Sequence, residues 1–175
     1  MIKQPIKEDT HEICEFKVGD LAVYPAQGVG RIEAIEKKVV GGTENDFYIL
    51  KIIENNMVIM IPTWNVEQVG LRNLIDKDDI VNVYDVMSRD HDVQIDKQAW
   101  NRRHKDYMDK IKTGSIYDIA EVYRNLSILK NTKDLSFGER KLYDTAQLLL
   151  VNEISTASGK DSQTILSKIE SFFND

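Results

Sequence analysis

Trp100-Asn101-Arg102-Arg103 opens the one stretch of this sequence whose residue types suit chemistry on a polyanion. From Trp100 to Lys112, the cations Arg102, Arg103, Lys105, Lys110 and Lys112 stand against Asp106 and Asp109, a local charge of +3 in a chain of net charge −6. Guanidinium and ammonium groups pair with phosphate oxygens, and a flat indole can wedge between base pairs. The mixture therefore suits a nucleic-acid backbone beside an opened base step. The same spacing also fits a plain amphipathic helix, because Trp100, His104, Tyr107 and Ile111 fall on one helical stripe. The helical wheel alone leaves Trp100 undecided.

A second group of the same kind follows at Ser136-Phe137-Gly138-Glu139, with Arg140 and Lys141 next to it. Ser and Glu three residues apart form a capping box, which places Phe137 in the first turn of a helix. If the two helix starts lie at one end of a bundle, Trp100 and Phe137 form an exposed apolar patch. Arg102, Arg103, Arg140 and Lys141 would border it.

Other chemistries find no support. His11 and Cys14 have H-x-x-C spacing, but the chain holds a single cysteine and three histidines, so a metal site is not expected. Gly28-Val29-Gly30 lacks the third glycine of a dinucleotide fingerprint, since Glu33 stands in its place and a strand follows. There is no G-x-S-x-G, no H-E-x-x-H and no phosphate loop, and the carboxylates are scattered over polar faces. The expectation is no catalysis, no cofactor, no metal and no small-molecule substrate.

The positioning elements come in two kinds. At 175 residues, 42% hydrophobic and 30% charged, the chain has an ordinary globular composition, sufficient for one large domain or two small ones. Residues 1–15 are polar and read as a flexible tail. From Phe16 short apolar runs alternate with turns. Strands are expected over Leu21–Pro25, Arg31–Val40, Phe47–Ile53, Met57–Ile61 and Val69–Leu74, with a Gly41-Gly42 hairpin and Pro62 stopping the fourth. Five short strands predict a small SH3- or Tudor-like barrel over residues 16–75. Helical periodicity then takes over for residues 76–175. Asp76 or Asp78 caps a first helix, Ser88–Val93 is a polar break, and Asp96 caps a helix running to Thr113 and stopping at Gly114. Ser115–Asp118 and Ser136–Glu139 open two more, and a last helix lies over Ser162–Phe173. The fold class is α+β, with the barrel first and an all-helical bundle after it.

No apolar run could act as a signal peptide or cross a membrane, and the lone cysteine fits a reducing compartment, so the expected location is the cytoplasm. An acidic chain is a poor free-standing DNA binder, because affinity comes from neutralising phosphates. Any DNA contact must be local and aided by a second binding surface.

Several motifs, in order and at compatible spacing over roughly residues 16–170, resemble the CarD/CdnL-type bacterial transcription regulators. Phe16-Lys17-Val18-Gly19-Asp20, Val23-Tyr24-Pro25 and Gln27-Gly28-Val29-Gly30 are similar to the family's opening. Ile59-Met60-Ile61-Pro62 and Val69-Gly70-Leu71-Arg72 resemble the end of its barrel. Trp100–Arg103, Lys110–Gly114 and Leu135–Lys141 resemble its helical half. The resemblance implies that the barrel docks on the β subunit of bacterial RNA polymerase and that the helical domain meets promoter DNA at the upstream edge of the bubble. The residue matching Trp100 would be a minor-groove wedge, stabilising the open complex without reading sequence. It further implies association with the nucleoid through the polymerase. Candidate DNA-facing residues are Trp100, Arg102, Arg103, Met108, Phe137, Arg140 and Lys141. Candidate polymerase-facing residues are Lys38, Val39, Leu50, Met60 and Pro62, with an exposed strand edge as the docking mode. Lys38 and Met60 stand where some members carry arginine. Ordinary barrel packing remains an alternative for Val39 and Leu50. The rival for the whole chain is a Tudor-like protein-interaction module beside a purely structural helical bundle.

Overall fold

A computed structural model describes residues 15–89 and 99–174. Its first half is an antiparallel sheet of β1 (Leu21–Tyr24), β2 (Gly28–Val40), β3 (Thr43–Ile52) and β4 (Val58–Pro62), in the order β1-β2-β3-β4. Gly41 and Gly42 both adopt positive φ, 61° and 81°, and so form the two-residue loop between the paired Val40 and Thr43. That backbone matches the twist of a hairpin and is accessible to glycine at little cost. Ile32, Leu50, Ile52 and Ile61 line the sheet core with Phe16, Ala22, Tyr48, Val66 and Leu71. Gly30 leaves room for Leu50, whose side chain a Cβ there would meet at 2.8 Å.

The fifth expected strand is reduced to one bridge. After β4 come a 3₁₀ turn over Thr63–Asn65 and one α-helical turn, α1 (Val66–Val69), and then Arg72 exchanges backbone hydrogen bonds with Val23 at 2.8 and 3.1 Å. Arg72 therefore sits on the free edge of β1, and the sheet curls so that the chain leaving β4 reaches its opposite side. Pro62 does not stop the fourth strand short. It is the strand's last residue and pairs with Phe47.

The helices are α2 (Ile80–Ser88), α3 (Trp100–Lys112), α4 (Ile116–Thr132), α5 (Phe137–Ser158) and α6 (Ser162–Glu170). Neither Asp76 nor Asp78 caps α2 with its side chain. A 3₁₀ turn over Lys77–Asp79 intervenes and the helix starts later. Asp96, like the tail residues 1–14, lies outside the described residues. α4 is the central element, with Ala120, Val122, Tyr123 and Leu126 fully buried. Around it gather Val83 and Met87 of α2, Ile111 of α3, Leu150 and Ile154 of α5, and Ile165 and Ile169 of α6. Gly114 stops α3 with φ 74°, and Ser115 accepts a hydrogen bond from the Asp118 N–H at 3.4 Å at the start of α4. Asp118 does not complete the expected capping box, because its carboxylate accepts from the Thr113 hydroxyl instead. Among the described residues no helix is long and apolar enough to cross a membrane.

Candidate nucleic-acid interface

The first turns of α3 and α5 meet. Trp100 is the first residue of α3 and its indole lies on the opening turn of α5, where a Cβ at Gly138 would stand 2.8 Å from Cζ2. His104, one turn along α3, approaches the indole edge-on with ring centroids 5.1 Å apart, and the Arg103 guanidinium sits 5.4 Å from its centroid. Trp100 is therefore half-buried against the helical core.

Glu139 fixes this junction. Its carboxylate accepts from the Ser136 backbone N–H at 2.8 Å, while the Ser136 hydroxyl accepts from the Glu139 N–H at 3.3 Å, completing the capping box. The same carboxylate receives Arg103 Nη2 at 2.7 Å and the Lys133 ammonium at 3.3 Å. Glu139 is 2% exposed, so burial pushes its pKa up; the hydrogen bonds from Ser136 and the pairing with Lys133 outweigh that and hold the carboxyl below its usual range. A charge this buried is tolerable only with several donors. The carboxylate thus ties the α4–α5 connection to the turn that carries Trp100.

The sequence-derived set divides on this geometry. Phe137 is 87% exposed and projects from the start of α5. Arg102, Arg140 and Lys141 are exposed, and none makes an ion pair among the described residues. All four lie in the opening residues of α3 or α5, the two helix starts that meet at the indole. Arg103 is corrected: its side chain is 14% exposed and committed to Glu139, with Nε buried and unpartnered, so it braces Trp100 and is not offered to phosphate. Met108 is corrected as well. It lies about 12 Å down the helix from Trp100 and packs, partly buried, against the helical core. The indole itself is half-covered and does not stand in water; the open ring of the pair is Phe137.

On the sheet, the β-bulge between Ile32 and Ala34 decides which side chains face outward. Beyond it, Glu36 pairs with Phe47 and Lys38 with Asn45, so Lys38 shares the outer face with Met60 and Pro62. Met60 is 53% exposed, and Lys38 pairs with Glu36 at 2.9 Å. Val39 lies on the opposite face near the hairpin tip, exposed and free of barrel packing. Leu50 is corrected: it is fully buried in the sheet core and cannot meet a partner. Among the described residues β4 pairs only with β3, so its outer edge is open.

Sequence reasoning passed over three contributors. Trp64, 63% exposed, covers Phe47 on the outer face with ring centroids 5.7 Å apart. As one of only two tryptophans, two residues after the strand-ending Pro62, it is a visible signal in the sequence. Glu139 was visible as the capping-box acid, but its grip on Arg103 spans 36 residues. Gly138 gave no sign of seating a ring from another helix. Among the described residues no cluster of His, Cys, Asp and Glu could hold a metal ion.

Comparison with known proteins covers both halves. Residues 16–75 match the family model described as CarD-like/TRCF RID domain, and residues 82–170 match that described as CarD, C-terminal domain. A Bacillus subtilis (strain 168) protein named "Putative transcription factor YdeB" is 33% identical over 152 residues, covering 87% of this chain and 98% of its own. A solved structure, "CdnLNt from Myxoccoccus xanthus", is 54% identical over 35% of this chain and 86% of its own, with a TM-score of 0.30.

Proposed function

This chain belongs to the CarD family of transcription regulators, and from that premise we propose that its sheet domain docks on the β subunit of RNA polymerase while the Trp100–Phe137 end stabilises the promoter open complex. The observation that carries the DNA half is the meeting of the α3 and α5 starts. It gathers two aromatic rings with Arg102, Arg140 and Lys141 in an otherwise acidic protein.

Opening a promoter leaves a junction where stacked duplex meets separated strands. An aromatic wedge in the minor groove there fills the unstacked step and opposes reannealing, while the three cations hold backbone phosphates without reading bases. Trp100 is the wedge, seated on Gly138, and Phe137 extends the apolar surface beside it. Binding the open form better than the closed one shifts the equilibrium by the difference in contact energy, about tenfold per 1.4 kcal/mol. Docking supplies what a weak DNA surface lacks, since tethering makes the DNA contact intramolecular at high effective concentration. The outer face bearing Lys38, Met60, Pro62 and Trp64, with the open edge of β4, is the docking surface.

The half-covered indole favours one alternative, in which Trp100 only packs the bundle and the chain is a protein-interaction module without a DNA role. One experiment separates the two. Immobilised protein is incubated with purified polymerase, and promoter complexes are then followed after competitor challenge. Retention of the β subunit with longer-lived open complexes supports the proposal. Failure to retain β contradicts the docking half, and unchanged open-complex lifetime contradicts the DNA half.

A further inference from the structure

Arg72 links the sheet to α3 and α5, the two helices whose first turns carry Trp100 and Phe137. Its backbone is paired with Val23 on the edge of β1. Its guanidinium reaches out of the sheet in a fork: Nη1 and Nη2 donate to the two carboxylate oxygens of Glu153 in α5 at 2.6 and 2.9 Å. Nε and Nη2 also donate to the Gly114 carbonyl, just past the end of α3, at 2.9 and 2.7 Å, and Nη1 donates to Asn73 O at 2.9 Å. Every guanidinium nitrogen is engaged, in the planar geometry that a lysine cannot reproduce. Glu153, with a side chain 4% exposed, also accepts from the Ile75 N–H at 3.0 Å.

The turn between β1 and β2 closes the same joint. A Cβ on Gly114 would meet the Pro25 ring at 3.1 Å and one on Gly70 would meet it at 3.0 Å, so Pro25 is wedged between sheet and helices. Leu149 of α5 presses on Gly28, where a Cβ would lie 3.2 Å away, and Ala26 packs against the helical core.

We propose that Arg72 is a positioning residue that makes sheet and helices one rigid body and so sets the distance from the docking surface to the Trp100–Phe137 end. Arg72 grips α3 just beyond its C-terminal end and α5 at Glu153, whereas the rings stand at the N-terminal ends of both helices. At about 1.5 Å per residue the lever from grip to ring is roughly 20 Å, so a swing of about 10° moves the ring by roughly 3.5 Å. That displacement is the thickness of a base step, enough to lift a wedge out of register.

This inference rests on the proposed docking and DNA roles, and its test separates it from them. Full-length protein carrying Cys14→Ser, Glu67→Cys and Asp144→Cys is spin-labelled at the two new thiols, and the distance distribution is measured with Arg72 intact and with Arg72→Gln. The same Arg72→Gln change is assayed for polymerase retention and open-complex lifetime. The expected result is a broadened distribution and a lifetime shortened severalfold, with polymerase retention unchanged. An unchanged distribution, or a broadened one with full lifetime, overturns the proposal. Should Arg72→Gln fail to fold, Glu153→Gln is read by the same criteria. If the parent protein itself does not prolong open complexes, the DNA role fails, while the distance distribution still decides whether Arg72 holds the joint.

Discussion

Gly138 is the seat of Trp100: a Cβ on this residue would stand 2.8 Å from Cζ2, 3.6 Å from Cε2 and 3.7 Å from Nε1 of the indole. Real side chains do not tolerate the first of these distances, so a glycine in the first turn of α5 is what lets a ring from α3 settle there. In an unobstructed helix, Gly→Ala stabilises by about 0.5–1 kcal/mol. Here the gain is opposed by expulsion of the ring. In a Trp64→Phe background, Gly138→Ala is expected to raise acrylamide quenching of Trp100 and shift its emission to the red, with helix content retained. Unaltered quenching would show that the indole is not seated on Gly138.

Glu139 holds the same junction electrostatically. Glu139→Gln leaves Arg103, with its guanidinium largely buried, short of its countercharge, and the cost is expected to be about 3–5 kcal/mol in chemical denaturation. The folded carboxyl titrates below the ordinary value of about 4.3. Its contribution is therefore fully present above that value and is lost as pH falls through the depressed folded one. The stability difference between wild type and Glu139→Gln in chemical denaturation should stay level from neutrality to the ordinary carboxylate range and shrink only below it. A difference that persists unchanged into strong acid contradicts this assignment.

Leu50 and Met60 lie on opposite faces of the sheet and should separate stability from docking. Leu50→Ala is expected to cost about 2–5 kcal/mol, the range for a buried leucine. Met60→Glu, at an exposed position, should shift stability by less than about 0.5 kcal/mol yet weaken retention of the polymerase β subunit. Full retention by Met60→Glu moves the docking surface elsewhere.

Free protein should bind duplex DNA weakly and without sequence preference. With Arg102, Arg140 and Lys141 as the phosphate contacts, log K should fall with log salt at a slope of about −2.7. A tight, sequence-specific shift at physiological salt contradicts the tether.

Features encoded over a few neighbouring residues were legible in the sequence. The Gly41-Gly42 loop, the end of α3 at Gly114 and the Ser136–Glu139 box each depend on local backbone chemistry, and the structure has all three. The sheet-then-helices order followed from the change of hydrophobic period. Facing was harder. Alternation marks two faces of a strand without saying which is core, and the bulge after Ile32 exchanges them, so the pattern does not tell that Leu50 faces the core while Met60 faces outward. Contacts between distant segments were not legible at all. Arg103 finds Glu139 across 36 residues and Arg72 finds Glu153 across 81, and each arginine looked equally free in the sequence. The last strand shrank to one bridge because Val66–Val69 closes as a helical turn, leaving few residues to pair with β1.

The role of the Trp100–Phe137 end is decided by the lifetime of promoter open complexes formed with saturating wild-type protein, Trp100→Ala, Phe137→Ala or the double variant, after each variant is shown to be folded and retained on polymerase. Wild-type protein is expected to prolong the complex, Trp100→Ala to remove most of the effect, and the double variant to resemble polymerase alone. A folded, polymerase-bound double variant that prolongs open complexes as well as wild type would contradict that role.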